Sequence, residues 1–381
     1  MDFAIPDELK DFVRSVERFR EKELMPLEAD FLREGKLENA TMDALQAKAR
    51  EQGFWALDVP VEFGGQGIGT LATCLVEEEL AKFPGMFRFG GLVEPVLYEG
   101  TEDQRARFVD SVVKDGKVSC FAFTEPQAGS DLRGIQTKAT RAGSDWVLNG
   151  TKTFISGADR ADFCIVYART SQELGARGIT VFVVDKGTPG FTLSRPIPTM
   201  GDGWEPYELS FVDCMVPDEN RIGDVNGGWA LGAEQLTHGR LKIAAKQLGI
   251  AQRCLDMAIE WAKQRQTWGK PIATRQAIQW MVADSAVELD AARLLVYRAA
   301  WLADEKTEIH NEAFIAKLYA TEMSQRVTDR CLQIFGGLGY ARELPIQSFY
   351  RQARVWRIGH GTAELNRWMI ARNLLGLSAG D

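Results

Sequence analysis

The feature that most constrains this chain is a change of hydrophobic period near residue 116 and a change back near residue 226. Before the first break, Leu9, Phe12, Val13, Val16 and Phe19 recur at spacings of three and four, which marks one buried face of a helix. Leu45 to Trp55 predicts a second helix. Gly64, Gly65, Gly67 and Gly69 then interrupt the chain before a further helix over roughly 70–82. Between the two breaks come short β-rich runs: VSCFAFT, DWVLNG, DFCIVYA, GITVFVVD and YELSFVD. Turn residues bound them closely, as in an antiparallel sheet or small barrel. After the second break, amphipathic stretches cover roughly 227–263, 273–304, 310–333 and 363–376, long enough to pack as a bundle. Helix at both ends with strand in the middle is an α+β pattern. It divides the chain into an N-terminal helical domain (1–115), a middle antiparallel β domain (116–222) and a C-terminal four-helix bundle domain (223–381). The order disfavours an alternating nicotinamide-binding fold, and the glycines at 64–69 do not match GxGxxG.

A formal net charge of −8 argues against nucleic acid as a partner. No run of about 18 uncharged apolar residues predicts a membrane span, and the opening MDFAIPDELKDF lacks the pattern of a secretory signal. The cysteines Cys74, Cys120, Cys164, Cys214, Cys254 and Cys331 are scattered and form no CxxC pair. They read as buried thiols in a cytoplasmic setting. The histidines His238, His310 and His360 lack metal-site spacing.

Four stretches could carry chemistry. FAFTEPQAGSDLRG (121–134) leaves a strand for a loop whose hydroxyls and amides could grip an anionic or heteroaromatic ligand, or form a plain turn. NGTKTFISGAD (149–159) alternates Phe154 with Ser156, either as an aromatic wall with a hydroxyl or as an Asn-Gly hairpin. AKQRQTWGKPIATRQAI (262–278) joins two helices, with Arg265 and Lys270 around Thr267 and Trp268. It could hold a diphosphate or be a solvated junction. QIFGGLGYARELPI (333–346) sets Gly336, Gly337 and Gly339 after a helix, where glycines end helices and admit close approach.

Together and in this order, these blocks resemble the acyl-CoA dehydrogenase family from end to end. TEPQAGSD is similar to its TEPxAGSD flavin loop, NGTKTFIS to NGxKxWIT, RQTWGKPI…QAI to RxxFGxxI…Q, and QIFGGLGY to QxxGGxGY. The resemblance implies FAD between the β domain and the bundle, an acyl-CoA substrate, an electron-transfer flavoprotein as partner, and a homotetramer or homodimer completing the adenine end. By position, Phe121, Phe123, Thr124, Ser130, Phe154 and Ser156 would contact the flavin ring. Arg265, Trp268, Gln276, Gln333, Gly336, Gly337, Thr362 and Glu364 would hold the ribose, diphosphate and adenine. Ser130, Thr237, Arg240 and Gly361 would line the acyl-CoA cleft. The implied reaction removes an α-proton and transfers a hydride from the β-carbon.

The chain departs from the family where the base should be. The family's glutamate, in a YEGT-like motif, is replaced in Gly359-His360-Gly361-Thr362, and the alternative base position is Gly239. Neutral imidazole, with an ordinary pKa of about 6.5, can accept a proton near neutral pH. This makes His360 the candidate catalytic base of an α,β-dehydrogenase. The alternatives are base-free reduction of an enoyl-CoA, an elimination such as desulfination, and a non-catalytic subunit. His238 could lie near the acyl cleft, and His310 reads as part of a solvated helix start beside Glu308 and Glu312. Arg88, in FPGMFRFGGLVEP, falls near the floor of the family's acyl pocket. It could meet an acidic acyl tail, lie on the surface, or pair with Glu94.

Overall fold

The computed structural model describes residues 4–203 and 205–377, with side chains for all of these but 233–235. In the N-terminal region, α1 (Asp7–Phe19), α2 (Asn39–Glu51) and α3 (Gly69–Leu80) enclose a phenylalanine cluster. Phe19 meets Phe54, Phe87 and Phe89 at ring distances of 5.8, 5.9 and 5.2 Å. α3 is the seam between this region and the bundle, and every residue from Ala72 to Leu80 is buried. Its three successive glutamates are each partnered: Glu79 by Arg20, Glu78 by Arg293 and Tyr297, and Glu77 by Lys246. The Asp304 carboxylate accepts from the N–H groups of Thr70 and Leu71, satisfying donors that a helix start leaves open.

The middle region is an eight-stranded sheet: β1 (Ser119–Ala122), β2 (Lys138–Ala142), β3 (Asp145–Ile155), β4 (Phe163–Arg169), β5 (Ile179–Asp185), β6 (Phe191–Pro196), β7 (Tyr207–Val216) and β8 (Arg221–Ile222). The order is β6-β7-β3-β2-β4-β5-β8, with β1 on β4. The sheet is mixed rather than wholly antiparallel, because β1 and β2 both run parallel to β4. β2 (KATRA) and β6 (FTLSRP) are mostly exposed and carry no apolar run, which hides them from a hydrophobic pattern. β4 is buried throughout, and β5 everywhere but Asp185. One face packs Ile165, Tyr167, Val181 and Val183 against Phe108 and Val112; the other packs Val166, Phe182 and Val184 against Trp146 and Phe211. Asn149-Gly150 lies inside β3 and is no hairpin turn. Gly150 is needed there because a Cβ would stand 2.5 Å from Thr137 Oγ1.

The C-terminal region contains α4 (Gly228–Gln264), α5 (Gln276–Asp304), α6 (His310–Phe335), α7 (Ile346–Trp356) and α8 (Ala363–Leu375). α6 packs against the other four. Buried alanines on facing helices, among them Ala244, Ala251 and Ala258 on α4 and Ala313, Ala316 and Ala320 on α6, suit close packing. Short connections alternate the direction of α4, α5 and α6. The starts of α4 and α6 therefore share one end of the bundle, where Thr237 Oγ1 lies 3.3 Å from His310 Nδ1. Their ends share the other, where Trp261 stacks on Phe335 at 5.3 Å.

Candidate active site

After β1 the chain makes a tight turn in which Glu125 and Ala128 exchange backbone hydrogen bonds of 3.1 and 3.0 Å. The Glu125 carboxylate points inward. It accepts from Lys152 Nζ at 2.7 Å, from the N–H groups of Gln136 and Thr137 at 2.6 and 2.9 Å, and from the Gln127 amide at 2.6 Å. Lys152 has no solvent exposure and donates also to the carbonyls of Phe123 and Tyr167, at 3.1 and 2.6 Å. Burial works to raise the Glu125 pKa, but the Lys152 charge and the donated hydrogen bonds outweigh it and hold the group below its ordinary value. Burial pushes Lys152 down to about 8 against the pull of Glu125. The pair fastens the turn from beneath, leaving Thr124 half-buried and Ser130 exposed.

β3 loses register with β7 between Lys152 and Ile155. Phe154 sits in this bulge with φ of 56° and its side chain 52% exposed. A bulky residue held in left-handed backbone costs on the order of 1–3 kcal/mol, a strain that collects at functional sites. Ser156, two residues on, is also exposed. An exposed aromatic ring and an exposed hydroxyl thus stand two residues apart at the end of β3. The Phe123 ring faces inward. It is 2% exposed and stacked on Tyr167 at 4.2 Å, so only its backbone is available to a ligand. Phe121 is half-buried, edge-on to the same tyrosine.

Across the bundle, His360 occupies a turn between α7 and α8. His360 itself has φ of 53° and Gly361 has φ of 92°. Thr362 caps α8 by accepting from the Leu365 N–H at 3.2 Å, with Glu364 exposed in the first turn. The Gly361 carbonyl accepts from Lys317 Nζ and, at 2.9 Å, from Asn366 Nδ2. The imidazole rests on α4 at Gly239, where an added Cβ would stand 3.1 Å from Nδ1 and 3.2 Å from Cε1. The two places where the family resemblance puts a base therefore meet at one imidazole edge. His360 is exposed by surface area, while protein atoms crowd the ring on its α4 side. Burial first, then the charges of Arg240, Lys317, Arg88 and Lys246, push its pKa down to about 3. The ring is neutral at neutral pH, well below the ordinary value assumed from sequence.

Those cations come from three segments: Arg240 and Lys246 from α4, Lys317 from α6 and Arg88 from the stretch after α3. Arg240 on α4 is buried, lies over the Phe314 ring at 4.3 Å, and its Nε has no hydrogen bond among the described residues. Burial lowers its pKa to about 10. Lys317 on α6 has no solvent exposure and is pushed down to about 7 by burial and then by Arg240, against the pull of Glu364. Lys246 pairs with Glu77 at 3.3 Å and Lys242 with Asp58. Arg88 lines a recess with Asp58, Thr73 and Glu77. Its side chain is exposed, and its charge works against the burial that raises the Glu94 pKa. Thr237 is buried one turn before Arg240. His310 is exposed at the start of α6, as read from sequence, and its Nδ1 lies 3.3 Å from the Thr237 hydroxyl.

The remaining cofactor candidates lie elsewhere. Arg265, Trp268 and Gln276 surround the hairpin between α4 and α5, and Gln333, Gly336 and Gly337 end α6; all six are exposed. Lys317 and Gln333 are sixteen residues apart on α6, about 24 Å at 1.5 Å per residue. Within one chain, Thr362 and Glu364 at the start of α8 follow His360 directly, and Arg265 follows the end of α4. Pattern reading did not single out Lys317, although a lysine inside the apolar row Ala313, Ala316, Ala320 marks a buried charge. It also passed over Lys152 and Glu125, which lie within the quoted motifs.

Residues 6–115, 120–214 and 226–375 match the N-terminal, middle and C-terminal domains of acyl-CoA dehydrogenase. The human mitochondrial short-chain specific acyl-CoA dehydrogenase is 36% identical over 97% of this chain and 91% of its own. The CarC subunit of the caffeyl-CoA reductase-Etf complex of Acetobacterium woodii is 37% identical over 97% of this chain and 98% of its own. The structure of butyryl-CoA dehydrogenase from Megasphaera elsdenii superposes with a TM-score of 0.90 at 34% identity, over 98% of this chain and all of that one. No helix among the described residues is long and apolar enough to cross a membrane. The chain belongs to the acyl-CoA dehydrogenase family, FAD-dependent oxidoreductases acting on the CH–CH bonds of acyl-CoA thioesters.

Proposed function

We propose that the chain catalyses α,β-dehydrogenation of an acyl-CoA, with His360 accepting the α-proton. The observation that carries this reading is the meeting of His360 Nδ1 with Gly239, which makes one neutral imidazole the titratable group at both candidate base positions. The chemistry bound FAD supplies is the exchange of two electrons with the acyl Cα–Cβ bond. Phe121, Phe123, Thr124, Ser130, Phe154 and Ser156 would hold its ring end, and Thr362 and Glu364 would reach its diphosphate side. Arg265, Trp268, Gln276, Gln333, Gly336 and Gly337, at the far end of the bundle, would complete the nucleotide end in a second copy. Self-association is supported by α5, where Trp280, Val287, Leu294 and Trp301 are exposed at every seventh position. A homotetramer or homodimer in a cytoplasmic setting fits, and similarity to a subunit of a reductase-Etf complex supports an electron-transfer flavoprotein as redox partner.

Ser130, Thr237, Arg240 and Gly361 would line the acyl-CoA cleft, with Arg88 toward the distal end of the acyl group. A second reading rests on the cations around His360. They oppose formation of an imidazolium, and so favour base-free reduction of an enoyl-CoA or loss of an anionic group such as sulfinate. Anaerobic single-turnover mixing of the FAD-loaded protein with straight, branched and dicarboxylic acyl-CoAs tests the choice. Flavin bleaching by a saturated acyl-CoA, abolished in His360→Ala, supports dehydrogenation. Bleaching that His360→Ala leaves at the wild-type rate overturns His360 as base.

A further inference from the structure

The His360 turn is held in an uncommon shape by groups from two helices. His360 and Gly361 both have positive φ, and for histidine that conformation needs support from its surroundings. The Gly361 carbonyl receives two donors, Lys317 Nζ from α6 and Asn366 Nδ2 from α8, and both residues have no solvent exposure. Asn366 donates also to the Thr362 carbonyl at 2.7 Å, so it ties the turn to its own helix. Lys317 ties the Gly361 carbonyl across to α6, which Arg357 at the start of the turn also reaches through Glu322 at 3.5 Å. Among the described residues Lys317 forms no ion pair, and its ammonium lies beside the imidazole's own backbone. A buried ammonium without a carboxylate is a costly way to satisfy one carbonyl. A merely structural donor would serve there without charge.

We propose that Lys317 is the positioning residue of the His360 turn. By holding the Gly361 carbonyl it keeps the imidazole edge on Gly239, and its charge keeps that imidazole unprotonated. The assignment rests on the proposed role of His360 for its purpose but not for its test. The groups facing His360 are Arg240 and Lys246 from α4, Lys317 from α6 and Arg88 from the segment after α3. Glu364, at the start of α8, faces Lys317 and acts on it in the opposite sense. Arg240, Lys246 and Arg88 are unchanged when Lys317 is replaced, so a replacement isolates its contribution.

The experiment follows the imidazole directly. The chain has three histidines, so ring-labelled FAD-loaded protein gives few signals, and His360→Gln identifies the one that belongs to position 360. In wild type that signal should stay unprotonated throughout the acid range in which the protein remains folded. In Lys317→Met its midpoint should rise by about one pH unit or more, the scale expected on removing a nearby like charge. Its chemical shift should move at neutral pH as the turn relaxes. Lys317→Arg, which keeps charge and donor, should hold the midpoint low. Asn366→Ala, which removes only a neutral donor, should shift the signal but not the midpoint. A Lys317→Met signal that titrates as in wild type overturns the proposal. If that variant does not fold, a raised midpoint in Lys317→Arg does the same. Loss of flavin reduction in His360→Ala bears on the base reading alone and leaves these titrations standing.

Discussion

Lys152 and Lys317 are both wholly enclosed and both donate to backbone carbonyls, yet they stand in opposite electrostatic surroundings. Lys152 has Glu125 at 2.7 Å, and that carboxylate is itself saturated by donors from the same sheet. Charge on the flavin side of the site is balanced inside the middle domain. Around His360, Lys317 and Arg240 face a neutral ring with no ion pair of their own among the described residues, and Arg88 adds its charge. The first arrangement is complete as folded and serves to hold a loop still. The second leaves positive charge directed at the place where a reacting group would sit, which suits the binding of an anion or the stabilisation of developing negative charge.

The largest expected effect concerns the reacting side. His360→Ala should slow single-turnover flavin reduction by about 10²–10⁴-fold, the scale of general-base catalysis, while FAD content stays near wild type. With a pKa near 3, His360 is neutral above that value. It should therefore contribute no ascending limb to the rate between about pH 5 and 8. A limb near 7 that survives in His360→Gln would belong to another group, and Lys317 has the matching value.

The two lysines should next diverge in stability. Lys152→Met leaves Glu125 buried without its counter-charge and should cost about 3–5 kcal/mol. Chemical unfolding measures this, with loss of flavin retention alongside it. Lys317→Met removes an uncompensated charge from the interior and should leave stability unchanged or raised. The pH dependence gives a further contrast. Lys317 has a folded pKa of about 7 against an ordinary 10.5, so between those values the unfolded chain binds more protons and stability rises with pH. That contribution to the rise should vanish in Lys317→Met. Equal destabilisation by the two substitutions would remove the distinction between a paired and an unpaired site.

What was legible in the sequence follows the same division. The helical ends, the β middle and the order of the flavin-loop blocks are visible because period and motif are local properties. The strand β2 and the parallel pairings of β4 are not, since KATRA has no apolar face and pairing direction is a matter of topology. The glutamates 77–79 carry no burial signal of their own, because their burial depends on Arg20, Lys246 and Arg293 arriving from distant segments. At the site, Phe154, Ser156 and Ser130 are exposed as the motifs suggest, but Phe123 is lost to the core. The position of His360 could be read from its motif. Its neutrality could not, because it comes first from burial and then from cations on three other segments.

Arg88 tests whether the surplus charge recognises substrate. If it meets an acidic acyl tail, Arg88→Ala should raise KM for dicarboxylic acyl-CoAs by about ten- to a hundredfold, the worth of a hydrogen bond to a charged group. KM for neutral acyl-CoAs of similar length should hardly move. Equal changes in both classes would make Arg88 a structural cation whose field acts on His360 alone.

The smallest effect is expected at the far end of the bundle, where exposure weakens every charge. Arg265 and Trp268 lie on the hairpin after α4, and Trp268 is 91% exposed with φ of 47°. Within one chain the ring meets Arg275 at 5.4 Å but stays open to solvent. A second copy placing its flavin nucleotide there would cover it and give Arg265 a diphosphate to pair with. Arg265→Ala should then weaken FAD retention by about tenfold, the lower part of the range for a charge-assisted hydrogen bond. The loss should appear only in associated protein. Dilution that separates the copies should weaken FAD retention in wild type too, and in doing so erase the difference between wild type and variant. Tight FAD binding by a separated single chain, with Trp268 fluorescence unchanged on association, would place the whole cofactor on one chain. The two groups of candidate residues would then have to be reassigned.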